Sequence, residues 1–283
     1  MKINKYKLSA ILLILIVISG LLINHNRTSR KIKSEANVII ATADSLKMNL
    51  WNFGTYNNNE YEKYLKDIYN LLKEALEKYQ IINDKAKEAN TLHRIGDVLD
   101  LMGKKREGLG HLEEALSIYI EIENKEGQAA ILHLIGTYHW SFVEIESALS
   151  YYKRGLSLYR ETNNLIGQAS ILWQMGFVCK NISNYTKSLE YFTKSLKIAR
   201  EMEGMGERVV HTLNNIGEIY IELAEYEKAL EYFQESLAEK DLMAQAYTFM
   251  HVGLAHKNLS HIDSALYYFE KSLSSNKSYN IDV

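Results

Sequence analysis

Polar and apolar residues follow one another along most of this chain with a helical period, and the pattern itself recurs. Five segments align: Leu-His-Arg-Ile-Gly at 92–96, Leu-His-Leu-Ile-Gly at 132–136, Leu-Trp-Gln-Met-Gly at 172–176, Leu-Asn-Asn-Ile-Gly at 213–217 and Phe-Met-His-Val-Gly at 249–253. Their glycines, Gly96, Gly136, Gly176, Gly217 and Gly253, are 40, 40, 41 and 36 residues apart. Twelve residues after each glycine stands a small residue (Gly108, Ala148, Ser188, Ala229, Ala265), and sixteen after it a bulky one (Leu112, Tyr152, Phe192, Phe233, Phe269). Nineteen after it comes another small one: Ala115, Gly155, Ser195, Ser236 or Ser272. The apolar residue four before each glycine shares its helical face, so the glycine marks a close approach of a first helix. The later offsets form an i, i+4, i+7 stripe on a second helix, which inserts a ring between two close approaches. The pattern predicts a helix-turn-helix unit of about 40 residues, copied five times.

These residues resemble the tetratricopeptide repeat family, whose signature is a bulky residue, Leu-Gly, then Tyr, Ala, Phe and Ala at these offsets. The resemblance spans residues 89–275 and implies an all-α fold, a right-handed α-solenoid of stacked antiparallel helix pairs. The five repeats fall at about 89–128, 129–168, 169–208, 209–245 and 246–283. Two features depart from the family. Its tyrosine three residues after the glycine is Leu99, His139, Cys179, Tyr220 and His256 here, and the proline that ends its second helix is missing throughout. The long period, with Gly127-Gln128-Ala129 and Gly167-Gln168-Ala169 opening units, is similar to the long-repeat subclass of bacterial regulators and scaffold proteins. Upstream, Ile68, Leu72, Ala75 and Leu76 reproduce the second-helix stripe. Residues 35–88 therefore read as a degenerate first repeat, with 51–59 a loop.

The N-terminus has another character. Residues 1–7 form a short basic tail, 8–24 an uncharged apolar segment, and 25–34 a basic juxtamembrane linker. Leu8 to Ile23 as a helix would cover about 24 Å, against a hydrocarbon core of about 30 Å. The segment reads as one N-terminal transmembrane helix, a signal anchor or a signal peptide. Ile18-Ser19-Gly20 would suit cleavage, but Leu21, Leu22 and Ile23 continue the apolar run and favour the anchor. The very short tail points to N-inside, so a single-pass membrane protein with an extracytoplasmic repeat region is expected.

Composition narrows the chemistry. Pro is absent and Cys occurs once, at Cys179, which excludes an intramolecular disulfide and a Cys-based zinc cluster. The first 33 residues carry seven Lys/Arg and no acid, leaving 26 Lys/Arg against 35 Asp/Glu in the rest. An acidic repeat region without a basic stripe argues against nucleic acid. Gly103 to Gly110 lacks the Gly-Lys-Ser/Thr ending of a phosphate loop and reads as a turn between helices. His251, His256 and His261 are five apart, off the spacing that zinc wants on one helix face. No catalytic residue, metal or cofactor is expected, and Cys179 reads as an inert buried thiol.

A partner would meet the first helices. Offsets −6, −3, +1 and +4 from each glycine share a face that the packing stripe leaves free, and peptide recognition prefers aromatic anchors in such a groove. The candidate groove residues are His133, Thr137, Trp140, Trp173, Phe177, Lys180, Asn214, Glu218, Tyr247 and Met250. Lys180 and Lys257 do not rebuild the family's site for acidic C-terminal tails. The expected function is a membrane-anchored, non-catalytic scaffold or adaptor that binds a protein or peptide, with pairing to a second copy left open. The alternative is the sensory region of a signalling protein, a sensor kinase or transcription regulator, whose effector domain lies outside this chain.

Overall fold

The computed structural model describes the backbone of residues 5–52, 58–239 and 242–279, with side chains over 24–48, 60–239 and 245–275. Twelve helices follow in order: α1 (Lys5–Asn52), α2 (Asn58–Ile81), α3 (Lys85–Leu101), α4 (Lys105–Glu121), α5 (Lys125–Ser141) and α6 (Ile145–Glu161). They continue as α7 (Leu165–Asn181), α8 (Tyr185–Arg200), α9 (Gly206–Glu222), α10 (Tyr226–Ala238), α11 (Leu242–Asn258) and α12 (Ile262–Tyr279). Among the described residues there is no strand. The chain is an all-α stack of helix pairs. Of the run 103–110 only the start is turn, because α4 begins at Lys105.

The turns explain the missing proline. Asn83, Gly103, Glu123, Val143, Asn163 and Ser183, 20 residues apart, all take positive φ. The residue after each donates its amide five residues back, as in Lys104 to the Leu99 carbonyl at 2.8 Å, Glu144 to His139 at 2.9 Å and Asn184 to Cys179 at 2.9 Å. This bond closes the helix and requires an N–H where the next helix starts, which proline lacks. At Asn124, Asn164 and Asn184 the same residue also caps the next helix, its side chain accepting from the amide three residues on at 2.9, 2.8 and 3.3 Å.

The chain divides into two compact units, residues 1–127 and 128–283. In the first, α1 packs on α2 through the fully buried Ala36, with Ala75 and Tyr79 on the facing side, and Ala43 one heptad on is fully buried as well. Lys33 pairs with Asp84 at 2.7 Å, Lys78 with Glu35 at 3.0 Å, and Arg94 with Asp44. The stretch 25–34 is thus helical and tied to the repeat that follows. Of the expected loop at 51–59, Trp51 and Asn52 close α1 and Asn58 opens α2, while 53–57 lie outside the described residues.

The expected single-pass membrane localisation is corrected here. Among the described residues no helix is long and apolar enough to cross a membrane. The physical reason lies in α1 from Asn24 onward, where small alanines are buried and charged residues make ion pairs, a pattern for water and protein rather than hydrocarbon. The side chains of 8–23, on which that expectation rested, lie outside the described residues.

In the second unit each signature glycine lies against the ring sixteen residues later. A Cβ on Gly136 would come within 2.6 Å of Tyr152, and one on Gly176 or Gly217 within 2.7 or 2.5 Å of Phe192 or Phe233. The small serines bond carbonyls of the first helix: Ser188 to Gly176 at 2.7 Å, Ser195 to Ala169 at 2.8 Å and Ser272 to Ala246 at 2.7 Å. Leu156 of α6 and Leu196 of α8 are 5% and 4% exposed beneath α7 and α9, whereas their counterpart Leu273 on α12 is 62% exposed.

Candidate partner-binding face

Within the second unit, α5, α7, α9 and α11 carry all of the candidate groove residues. Regular 17-residue helices set 40 or 41 residues apart keep equivalent positions in register, so residues far apart in sequence meet side by side. At the centre is an aromatic cluster. Trp173 stacks on Phe177 with centroids 5.4 Å apart and planes at 10°, and Trp140 meets Phe177 edge-on at 6.1 Å. All three rings are half-buried. Lys180 holds its ammonium 5.4 Å above the Phe177 ring.

Beside the cluster runs a polar network. Lys180 donates to Glu218 Oε2 and to Asn215 Oδ1, each at 2.6 Å, while the Tyr247 hydroxyl donates to Glu218 Oε1. His251 Nε2 lies 3.7 Å from the same carboxylate, and burial pushes its pKa down. Burial, with the Glu218 carboxylate beside it, also pushes the Tyr247 phenol well up. A cleft of about 220 Å³ opens here, lined by Lys180, Tyr185, Glu218, Ile221, His251 and Leu254. Charge on this side is balanced internally, since Glu218 neutralises Lys180.

Other candidates serve the scaffold. His133 faces the edge of Tyr152 at 5.9 Å, and burial next to the Arg208 cation pushes its pKa down to about 4. Thr137 shares a 3.1 Å hydrogen bond with the Tyr152 hydroxyl, whose pKa burial raises to about 12. Asn214 is buried, its amide donating to Thr248 at 3.0 Å. Tyr247 and Met250 are 46% and 42% exposed. Cys179 is buried, and burial pushes its pKa up, so the sulfur stays a thiol. Among the described residues no three His, Cys, Asp or Glu gather as a metal site.

Sequence reasoning missed Arg208, whose guanidinium carbon sits 5.0 Å over the Trp173 ring. A signal was present. Nine residues before the signature glycine, where Arg208 stands, the two preceding repeats have Gly127 and Gly167.

Residues 88–161 and 167–238, just over half of the chain, match the family described as tetratricopeptide repeat. The chain belongs to the tetratricopeptide repeat family. No significant match is found among curated protein sequences. Among solved structures, this tetratricopeptide repeat protein is similar to BtubC (BKLC) from P. vanneervenii, at TM-score 0.69 and 16% identity over 77% of this chain and 93% of that one. Aspartyl phosphate phosphatase F from Bacillus subtilis aligns at TM-score 0.59 and 15% identity, over 77% of this chain and 67% of its own. A Rap protein complexed with competence and sporulation factor aligns at TM-score 0.54 and 18% identity, over 77% and 71%. At such identities these likenesses show the fold alone.

Proposed function

We propose that this tetratricopeptide repeat protein is a non-catalytic binding module that takes a peptide or protein segment on the first helices of its second unit. The observation that carries this reading is the half-buried cluster of Trp140, Trp173 and Phe177, bulky rings at positions where the repeat needs none. Rings of this kind bury a large area at low entropic cost, which makes them anchors. Tyr247 and Met250 extend the surface along α11, with Lys180 and Glu218 as its polar rim. His133, Thr137 and Asn214 hold the face from beneath. The likeness to a Rap protein in complex with a factor supports a binding role for this fold. The start of α3, α5 and α7 every 40 residues supports the long-repeat reading.

The test is affinity capture by the full chain, wild type against a Trp140→Ala, Phe177→Ala double variant whose circular dichroism is unchanged. Loss of captured proteins in the variant alone is expected. Capture of the same proteins by both would mean that the rings only fill space and the reading fails.

A further inference from the structure

We infer that the turn between α11 and α12 holds a two-histidine site for a divalent cation of the zinc and copper type, with His256 and His261 as its ligands through Nδ1. This site does not depend on the peptide-binding reading.

A spacing of five residues puts two histidines on no common helix face, but these two do not share a helix. His256 stands in the last turn of α11, and His261 is the residue before α12 begins at Ile262. Ser260 between them takes positive φ, and the His261 amide donates to the His256 carbonyl at 2.9 Å, which fixes the two backbones. The side chains converge. Nδ1 of His256 and Nδ1 of His261 are 3.5 Å apart, with ring centroids at 5.7 Å. A well-made hydrogen bond between them would be about 3 Å long. Two nitrogens each about 2.0–2.1 Å from one tetrahedral cation stand about 3.4 Å apart, close to the separation found.

The His256 ring is set in place before a cation arrives. It stacks on Tyr268 of α12 with centroids 5.5 Å apart and planes at 9°, so little rotamer freedom remains to be lost on binding. Burial and the neighbouring His261 push the His256 pKa down, which keeps that ring neutral and its lone pair available. His261 is exposed, so a cation reaches the pair from solvent. No third His, Cys, Asp or Glu gathers with them among the described residues, and water fills the other positions.

The repeat register marks the pair as a departure rather than scaffold. Three and eight residues after the signature glycine, other repeats hold Leu99 with Lys104, Cys179 with Asn184 and Tyr220 with Glu225. Where the same positions hold His139 and Glu144, imidazole meets carboxylate at 2.6 Å, a complementary pair. In the last repeat a second imidazole replaces the acceptor, and the two rings face each other nitrogen to nitrogen. Imidazole nitrogen suits zinc, copper and nickel, whereas magnesium and calcium prefer oxygen.

The test is zinc titration of the metal-free full chain in competition with a chromophoric chelator. One equivalent should bind and be released by EDTA, copper should bind tighter than zinc, and magnesium and calcium should not compete. Two variants separate ligation from folding. His256→Phe keeps a ring on Tyr268, and His261→Asn places there the residue that caps α8 at the equivalent Asn184. Each should weaken zinc at least about tenfold, while His211→Gln on exposed α9 surface leaves it unchanged. Zinc should also raise the thermal midpoint of the wild type and of neither ligand variant, because it ties α11 to α12 only in the folded chain. Zinc that binds both ligand variants as well as wild type, or binds wild type no tighter than magnesium does, overturns the site and leaves the pair as a contact across the turn.

Discussion

Gly176 and Gly110 differ in what one added methyl would meet. At Gly176 it would lie 2.7 Å from the Phe192 ring, while at exposed Gly110, inside α4, nothing lies within 4 Å. Gly176→Ala should therefore destabilise the protein by about 1–3 kcal/mol through overpacking. Gly110→Ala should raise stability by up to about 1 kcal/mol, because alanine loses less backbone entropy in a helix. Urea unfolding of both variants checks the sign of each. The same contrast shows what was legible at this scale. Gly176 stood out because its spacing to Phe192 recurs in every repeat, whereas the contact of Arg208 with Trp173 needed a neighbour from α7 before it was visible.

Helices are interchangeable in sequence pattern but not in environment. Leu196 on α8 and Leu273 on α12 occupy the same position relative to their signature glycines, yet one is 4% and the other 62% exposed. The difference is the presence of α9 over α8, while no helix follows α12 among the described residues. Leu196→Ala should cost about 2–4 kcal/mol, the range for emptying a core site, and Leu273→Ala less than about 1 kcal/mol. Thermal and urea unfolding of the two variants would reveal a reversed order if α12 were covered like α8. The pattern also misjudged α1. An apolar run followed by a basic stretch reads as a membrane anchor and linker, but the ion pairs that dock the later half of α1 connect residues about 40 to 50 apart, and no local pattern encodes them.

The whole molecule should be acid-labile, and the direction follows from its histidines. His133 has its pKa pushed down to about 4 by burial, and those of His93, His251 and His256 are also lowered, each chiefly by burial. Unfolding returns these rings to water and to ordinary pKa values near 6.5, so the unfolded chain binds more protons between pH 6.5 and 4. Stability is intact above that window and falls as pH drops through it. His133 alone should contribute a loss of about 2 kcal/mol by pH 4.5. Urea midpoints at pH 7.5 and 4.5 test this, and His133→Gln should shrink the gap between them. An unchanged gap would mean that the ring is not held neutral in the fold.

By itself the sequence determined the helical class, the family, the period and the packing partners within each repeat. Those follow from offsets along one chain, and a helix converts offsets into faces directly. Tertiary structure decided which of the facing residues are free. Asn214 and Lys180 read alike as exposed polar positions, yet one is buried against Thr248 and the other is neutralised by Glu218. Arg208, outside the chosen face, sits over the Trp173 ring and among the described residues has no carboxylate within ion-pair distance. Whether a side chain is spent or available depends on neighbours about 35 residues away on another helix, and only the stacking of the repeats brings them together.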